Sequence, residues 1–158
     1  MSENYFACKV RVAVHADIES MVSLLGELFV MEQDFFPDAE AQKRGLQMIL
    51  DDPSTARILV ADAGGIVGMC VVHRRISTFY GAAATVLEDV IVKKEFRGRG
   101  IGRLLLNAAG QHSSQQGQKH LQLLMDSENS AAESFYLANG WKKTRLVCMR
   151  KNLEDSGG

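Results

Sequence analysis

Leu87-Glu88-Asp89-Val90-Ile91-Val92, followed by Arg97-Gly98-Arg99-Gly100-Ile101-Gly102-Arg103 and an apolar helical repeat, reads as a strand, a glycine-rich turn and a helix start. The three alternating glycines leave backbone N–H groups uncrowded by side chains. They fall where the first turn of a helix has unpaired donors and the positive end of its dipole. That is a seat for phosphate oxygens, and the cations Arg97, Arg99 and Arg103 around it suit a pyrophosphate better than a carboxylate.

The rest of the chain bounds what such a seat can serve. At 158 residues and 46% hydrophobic content, one domain over 1-158, with a core from about 8 to 153, is expected; separate cofactor and substrate domains do not fit. Lys+Arg 18 against Asp+Glu 19 gives a net charge of -1. There is no basic tail, so nucleic acid and anionic membrane are not expected partners. Cys8, Cys70 and Cys148 are odd in number and lie in apolar runs, which fits reduced thiols and a cytoplasmic location. No signal-peptide core opens the chain, and no apolar run approaches the roughly 20 residues that span a bilayer.

Working outward from the motif, residues 8-14 alternate like a half-buried strand with Cys8, Val10, Val12 and Val14 on one face. Asp17 is a candidate cap for a helix carrying Ile18, Met21, Val22, Leu25 and Leu28, and Asp38 for a second helix ending near Leu50. Strands 57-61 and 66-73 flank Asp62-Ala63-Gly64-Gly65, a hairpin turn. Ser77 to Ala84 reads as a loop before the motif strand at 85-92. The helix after the glycines is expected to bury Ile101, Leu104, Leu105, Ala108, Ala109 and His112, and to end at Gly117. A strand at 120-125, a helix at 130-139 stopped by Gly140, and a final strand pair within 141-153 complete the order. His15, His73, His112 and His120 show no metal-ligand spacing, so no metal is expected, and they read as surface or packing residues.

Among phosphate-binding signatures, a Walker A loop fails for want of a lysine followed by a hydroxyl residue. A dinucleotide fingerprint needs Gly-x-Gly-x-x-Gly, and the spacing here is Gly98-x-Gly100-x-Gly102. Arg97-x-x-Gly100-x-Gly102 resembles the acyl-CoA pyrophosphate motif of the GNAT superfamily of N-acetyltransferases. The second motif, Asn129-Ser130-Ala131-Ala132-Glu133-Ser134-Phe135-Tyr136 followed by Asn139-Gly140-Trp141, is also similar to that family's, and the likeness covers nearly the whole chain. Lys94 stands where many members carry proline. The resemblance implies an α/β fold with a mixed, mostly antiparallel sheet of about seven strands, about four flanking helices, and a splay between the fourth and fifth strands.

It also implies acetyl-CoA as the donor. Arg97, Gly98, Arg99, Gly100, Ile101, Gly102 and Arg103 would then hold the pyrophosphate, while Val90, Ile91 and Val92 pair with the pantetheine arm and a donor such as Val90 N–H meets the thioester carbonyl. Asn129, Ala132 and Tyr136 fall at offsets 0, 3 and 7 on one helix face, and in the family the matching asparagine contacts pantetheine while the tyrosine sits near the sulfur. A phenol of ordinary pKa near 10 can reprotonate a leaving thiolate. An alkylamine is almost wholly protonated at neutral pH, so a carboxylate to take its proton is needed, and Glu88 is the candidate base. Two readings of Glu88 stand side by side: base, or solvated strand-end carboxylate. Asp89 is expected on the opposite face by strand alternation.

For the acceptor, Glu32, Phe35, Phe36, Phe79, Tyr80, Glu88 and Asp89 would line a pocket of aromatics and carboxylates suited to a small cationic amine. Leu87-Glu88-Asp89 also resembles the motif region of diamine acetyltransferases. Three alternatives stay open: Glu32, Asp34 and Asp38 as a helix-capping loop; a peptide or protein amine as acceptor; and a non-catalytic acyl-CoA-binding module. A homodimer through the run Leu146-Val147-Cys148-Met149 stands beside burial of that run in the chain's own core.

Overall fold

A computed structural model describes residues 7–31 and 36–153. They fall into two compact units, Met1–Leu123 and Leu124–Gly158. The first runs β1 (Lys9–Val12), α1 (Ile18–Met31), α2 (Ala39–Asp51), β2 (Ala56–Asp62), β3 (Ile66–Ser77), β4 (Ala82–Val92), α3 (Ile101–Gln115) and β5 (Leu121–Leu123). Its five strands lie in the order β1-β2-β3-β4-β5. The first three pairings are antiparallel and β4 with β5 is parallel. The sheet is thus mixed and mostly antiparallel, as expected for hairpin-linked strands with one helical crossover. None of the described helices is long and apolar enough to cross a membrane.

The two faces of the sheet are dressed by different helices. Ile58, Val60, Met69, Val71 and Ile91 join Met21, Leu24, Leu25 and Leu28 of α1 and Leu46 of α2 in one buried cluster. Alternation sends Leu59, Cys70, Val72 and Leu87 to the opposite face, toward α3. There Ile101, Leu105, Leu106, Ala109 and Ser113 are buried. The α3 stripe is rotated from the expected one, because Leu104 stays 43% exposed while Ser113 is fully buried. Ser113 is affordable inside because its hydroxyl hydrogen-bonds the Thr85 hydroxyl at 2.7 Å. Gly68 lets α3 come close: a Cβ there would stand 2.9 Å from the Ile91 carbonyl oxygen and 3.3 Å from a Leu105 methyl.

Local chemistry sets the element ends. Asp38 caps α2 by accepting the Ala41 N–H at 3.0 Å. Gly64, at φ +84, turns the β2–β3 hairpin, and Asp62 accepts its N–H at 3.1 Å. Half of the stretch expected as a loop from Ser77 to Ala84 is strand, since β3 and β4 stay paired out to Ser77 and Ala82 and leave residues 78–81 as the turn. Asp17 does not cap α1 directly. It closes the 3-10 turn His15–Asp17 by accepting the Val14 N–H at 2.8 Å, and it takes both ends of the Arg11 guanidinium at 2.8 and 2.9 Å.

The Arg11 hydrogen bonds hold the Asp17 carboxyl below the usual carboxylate range, against the opposing effect of burial. A carboxyl with a lowered folded pKa stabilises the fold above its unfolded pKa, and that contribution disappears as pH falls through the folded value. Asp17→Asn is therefore expected to cost about 2 kcal/mol at neutral pH by leaving Arg11 short of a charged partner. The reading is a lower urea midpoint at unchanged m value, with wild type and variant converging in acid. Equal midpoints at pH 7 would show that the pair contributes nothing.

The second unit carries α4 (Ser130–Ala138) and no strand among its described residues. The expected count of about seven strands is therefore corrected to five, and the strand expected over 120-125 to the three residues of β5. The expected final pair at 141-153 is absent for a visible reason: no Gly, Pro, Asn or Asp stands between Trp141 and Lys151 to turn one strand back on another. Leu146, Val147 and Met149 are each more than 80% exposed. What the unit does build is a helix stop. Gly140 sits at φ +84, its N–H donates to Leu137 O at 3.1 Å, and the Trp141 N–H donates to Tyr136 O at 3.1 Å. That is the double bond pattern of a Schellman cap.

Candidate active site

The motif strand breaks its own alternation. Val71 pairs with Glu88 and Met69 with Ile91, so Cys70 of β3 faces two residues of β4, Asp89 and Val90. This is a β-bulge, and Asp89 is the one non-glycine at positive φ (+51) among the described residues. Asp89 therefore does not sit on the opposite face by simple alternation. The bulge absorbs it, and Glu88 and Ile91, three residues apart, share the α1–α2 face.

The bulge also decides which amides turn outward. Before it, the Thr85 N–H donates to His120 O, toward β5; after it, the Lys93 N–H donates to Val67 O, toward β3, both at 2.8 Å. A strand alternates its amides, so Val90 and Val92 turn theirs away from β3. The ladder with β5 ends at Leu87 and Leu123. Among the described residues no further strand pairs with β4 on that side, so residues 88 to 92 offer an open backbone edge.

That edge leads directly to the glycine turn. Gly98 and Gly100 sit at φ +75 and +79, where an L side chain is strained. A Cβ on either would meet nothing within 4 Å, so the space before them is open. Gly100 is the N-cap of α3, no side chain caps the helix, and the first bond of the turn is Leu104 N–H to Gly100 O at 3.0 Å. The N–H groups of Ile101, Gly102 and Arg103 precede it, so the first turn keeps its donors for an anion. Arg97 is anchored at the strand end, its Nε donating to Val92 O at 2.8 Å. Arg99 lies over the Phe96 ring, 5.3 Å from the centroid. The turn thus fits the diphosphate of an acyl-CoA: open space, aligned donors and anchored cations.

His73 is the residue that sequence reasoning missed. Its Nε2 lies 3.2 Å from Glu88 Oε2, with both side chains partly exposed. The register explains the contact, because His73 opposes Val86 and Glu88 lies two residues on, a diagonal neighbour on one face. The hydrogen bond to Glu88, with added charge from Glu88 and Asp89, raises the His73 pKa above its ordinary value against the effect of burial. Reciprocally, the bond to His73 lowers that of Glu88. Burial pushes the Cys70 thiol up to about 12, so the sulfur opposite the bulge is an inert packing group.

The other expected residues are distributed unevenly. Glu32 and Phe35 lie outside the described residues, and Phe36 is 93% exposed. Phe79 and Tyr80 form the tip of the β3–β4 hairpin, where Tyr80 stacks on His120 with centroids 4.9 Å apart. From Ala82 to Glu88 is six strand steps, about 20 Å, so the hairpin tip is not brought beside Glu88. Asn129 caps α4 by accepting the Ala132 N–H at 3.0 Å, and the Tyr136 ring centroid lies 5.2 Å from that of Phe135 and 5.8 Å from that of Trp141. A small cleft of about 70 Å³ lined by Arg57, Arg74 and His112 lies toward the C-terminal end of α3, away from the glycine turn.

Comparison with known proteins agrees with this geometry. The family described as acetyltransferase (GNAT) domain matches residues 54–143, more than half the chain. The aminoalkylphosphonate N-acetyltransferase of Salmonella typhimurium is 28% identical over 139 residues, covering 88% of each chain. A possible acetyltransferase from Clostridium difficile 630 superposes with a TM-score of 0.82 at 17% identity, over 92% of this chain and 97% of its own. AAC(6')-Iy, solved with a CoA-S-monomethyl-acetylneamine bisubstrate analog, gives 0.77 at 20% identity, over 92% and 99%. The family model covers more than half of the chain, and the chain therefore belongs to the GNAT acetyltransferases, a family of acyltransferase enzymes.

Proposed function

We propose that the protein transfers the acetyl group of acetyl-CoA to a primary amine of a small molecule, by direct attack in a ternary complex within a single acetyltransferase domain. The observation that carries this reading is the continuity of the open β4 edge with the uncapped start of α3. Acetyl-CoA supplies the activated thioester. Arg97, Gly98, Arg99, Gly100, Ile101, Gly102 and Arg103 hold its pyrophosphate, and Val90, Ile91 and Val92 pair with its amide arm as an added strand. The Val90 N–H polarises the reacting carbonyl. Glu88 receives the proton of the incoming amine, Tyr136 supplies one to the departing sulfur, and Asn129 and Ala132 line the same arm.

A small amine as acceptor is supported by the relative named for aminoalkylphosphonates and by the acetylneamine portion of the analog bound to AAC(6')-Iy. It is also supported by the anionic pair Glu88 and Asp89 at the bulge, which attracts an ammonium group. Release of CoA thiol from acetyl-CoA is the test, run against aminoalkylphosphonates, polyamines, aminoglycosides and a lysine peptide. Amine-dependent thiol release with small amines is expected. Release with the peptide alone would shift the acceptor to protein, and tight acetyl-CoA binding with no turnover on any amine would make the chain a sensing module.

A further inference from the structure

We propose that His73 is a positioning residue for the amine-deprotonation step, acting through Glu88: the productive enzyme carries a neutral imidazole beside the Glu88 carboxylate, and the imidazolium–carboxylate pair is the resting form. The inference rests on the acyltransfer reading above and adds to it a proton store and a residue that sets the working pH. Its basis is the 3.2 Å contact between His73 Nε2 and Glu88 Oε2 on the α1–α2 face, two residues from the outward-turned amide of Val90.

The proton balance singles out the neutral form. A bound ammonium must lose one proton to expose its lone pair. Glu88 alone, with its pKa lowered, is a poor sink for a proton leaving a group whose ordinary pKa is near 10. A neutral His73 can draw that proton through the Glu88 carboxylate and hold it as imidazolium, a better match to the operating pH. As the N–C bond forms and the C–S bond breaks, Tyr136 gives its phenolic proton to the sulfur, and the second proton of the nitrogen passes through water to restore the phenol. After product release the imidazolium returns its proton to solvent through its exposed edge. The carboxylate carries the proton only in passing and is ionised again once the proton rests on the imidazole.

Few other charges bear on the imidazole. Glu88 and Asp89 of β4 act on it. Ala56 is its opposite number on β2, and no charged group of α1, α2 or β2 among the described residues shifts it. Because the folded pKa of His73 is raised, the neutral productive form grows as pH rises through that value.

Two measurements test this. The pH dependence of kcat with a saturating amine should rise with a single-proton slope over a range whose midpoint lies above the ordinary imidazole pKa of about 6.5 in the wild type. In His73→Gln it should be flat over that range, with a plateau about tenfold lower. Imidazole titration followed by NMR should give a His73 pKa that falls in Glu88→Gln. Acetyl-CoA affinity and melting temperature of each variant check that the fold and the donor site are intact. A His73→Gln profile that keeps the wild-type limb overturns the proposal even though acyl transfer stands. If no amine is acetylated, the acyltransfer reading fails by itself, and an unmoved His73 titration in Glu88→Gln then rejects the coupled pair as well.

Discussion

Acetyl-CoA at about 100 times its Kd is expected to raise the melting temperature of the wild type by about 5–10 °C, and that of Gly100→Glu not at all. The first figure follows from mass action, which gives about 2.7 kcal/mol at that excess, and from the usual response of a chain this size. The second follows from the geometry of the turn. Gly100 sits at φ +79, and the Cβ of a glutamate there would meet nothing within 4 Å. Its backbone strain costs about 1–2 kcal/mol, partly offset because a carboxylate near a helix N-terminus is favourable. The variant should therefore fold while its own carboxylate occupies the anion seat, and affinity should fall at least about 100-fold. Gly100→Asn, which tolerates the left-handed region without adding charge, should keep most of the response. An undiminished rise in Gly100→Glu would move the pyrophosphate elsewhere.

Tyr136→Phe should lower kcat about 10²–10⁴-fold while the KM for acetyl-CoA changes little, because only a proton donor is removed. The ring itself is held by structure that the substitution leaves alone. Phe135 and Trp141 flank it, and the helix stop at Gly140 brings the Trp141 N–H to the Tyr136 carbonyl. Loss of the hydroxyl should therefore be a loss of chemistry and not of fold, checked by steady-state kinetics beside an unchanged far-ultraviolet spectrum. A Tyr136→Phe enzyme within threefold of wild type would transfer the acid role to water or another group.

Much of the outline could be read from the chain. The caps at Asp38 and Gly140, the Gly64 turn and the glycine start of α3 are local devices, and local chemistry is legible in a linear sequence. What could not be read depends on pairing. Asp89 was expected opposite Glu88 because alternation is the default of a strand, and only the register with Met69 and Val71 shows the inserted residue. His73 gave no signal for the same reason: fifteen residues separate it from Glu88, and the diagonal contact exists only once β3 and β4 are aligned. Ser113 lies outside the apolar stripe expected of α3, and its burial depends on a hydrogen bond to Thr85, far off in sequence. The final strands failed for the opposite cause, since apolar residues in a row suggest a strand but supply no partner for one.

The bulge in β4 makes the site a matter of phase. Glu88 faces α1 and α2 together with Ile91, because one extra residue has been counted in between, while Val90 and Val92 direct their amides to the open edge. Exchanging the side chain at Asp89 leaves that count untouched. Removing the residue would leave Val90 alone opposite Cys70 and restore plain alternation, so the amides of Val90 and Val92 would keep their direction while the local bend and added twist of the bulge were lost. The bend of the strand beside Glu88 thus comes from one inserted backbone residue, whatever side chain that residue carries.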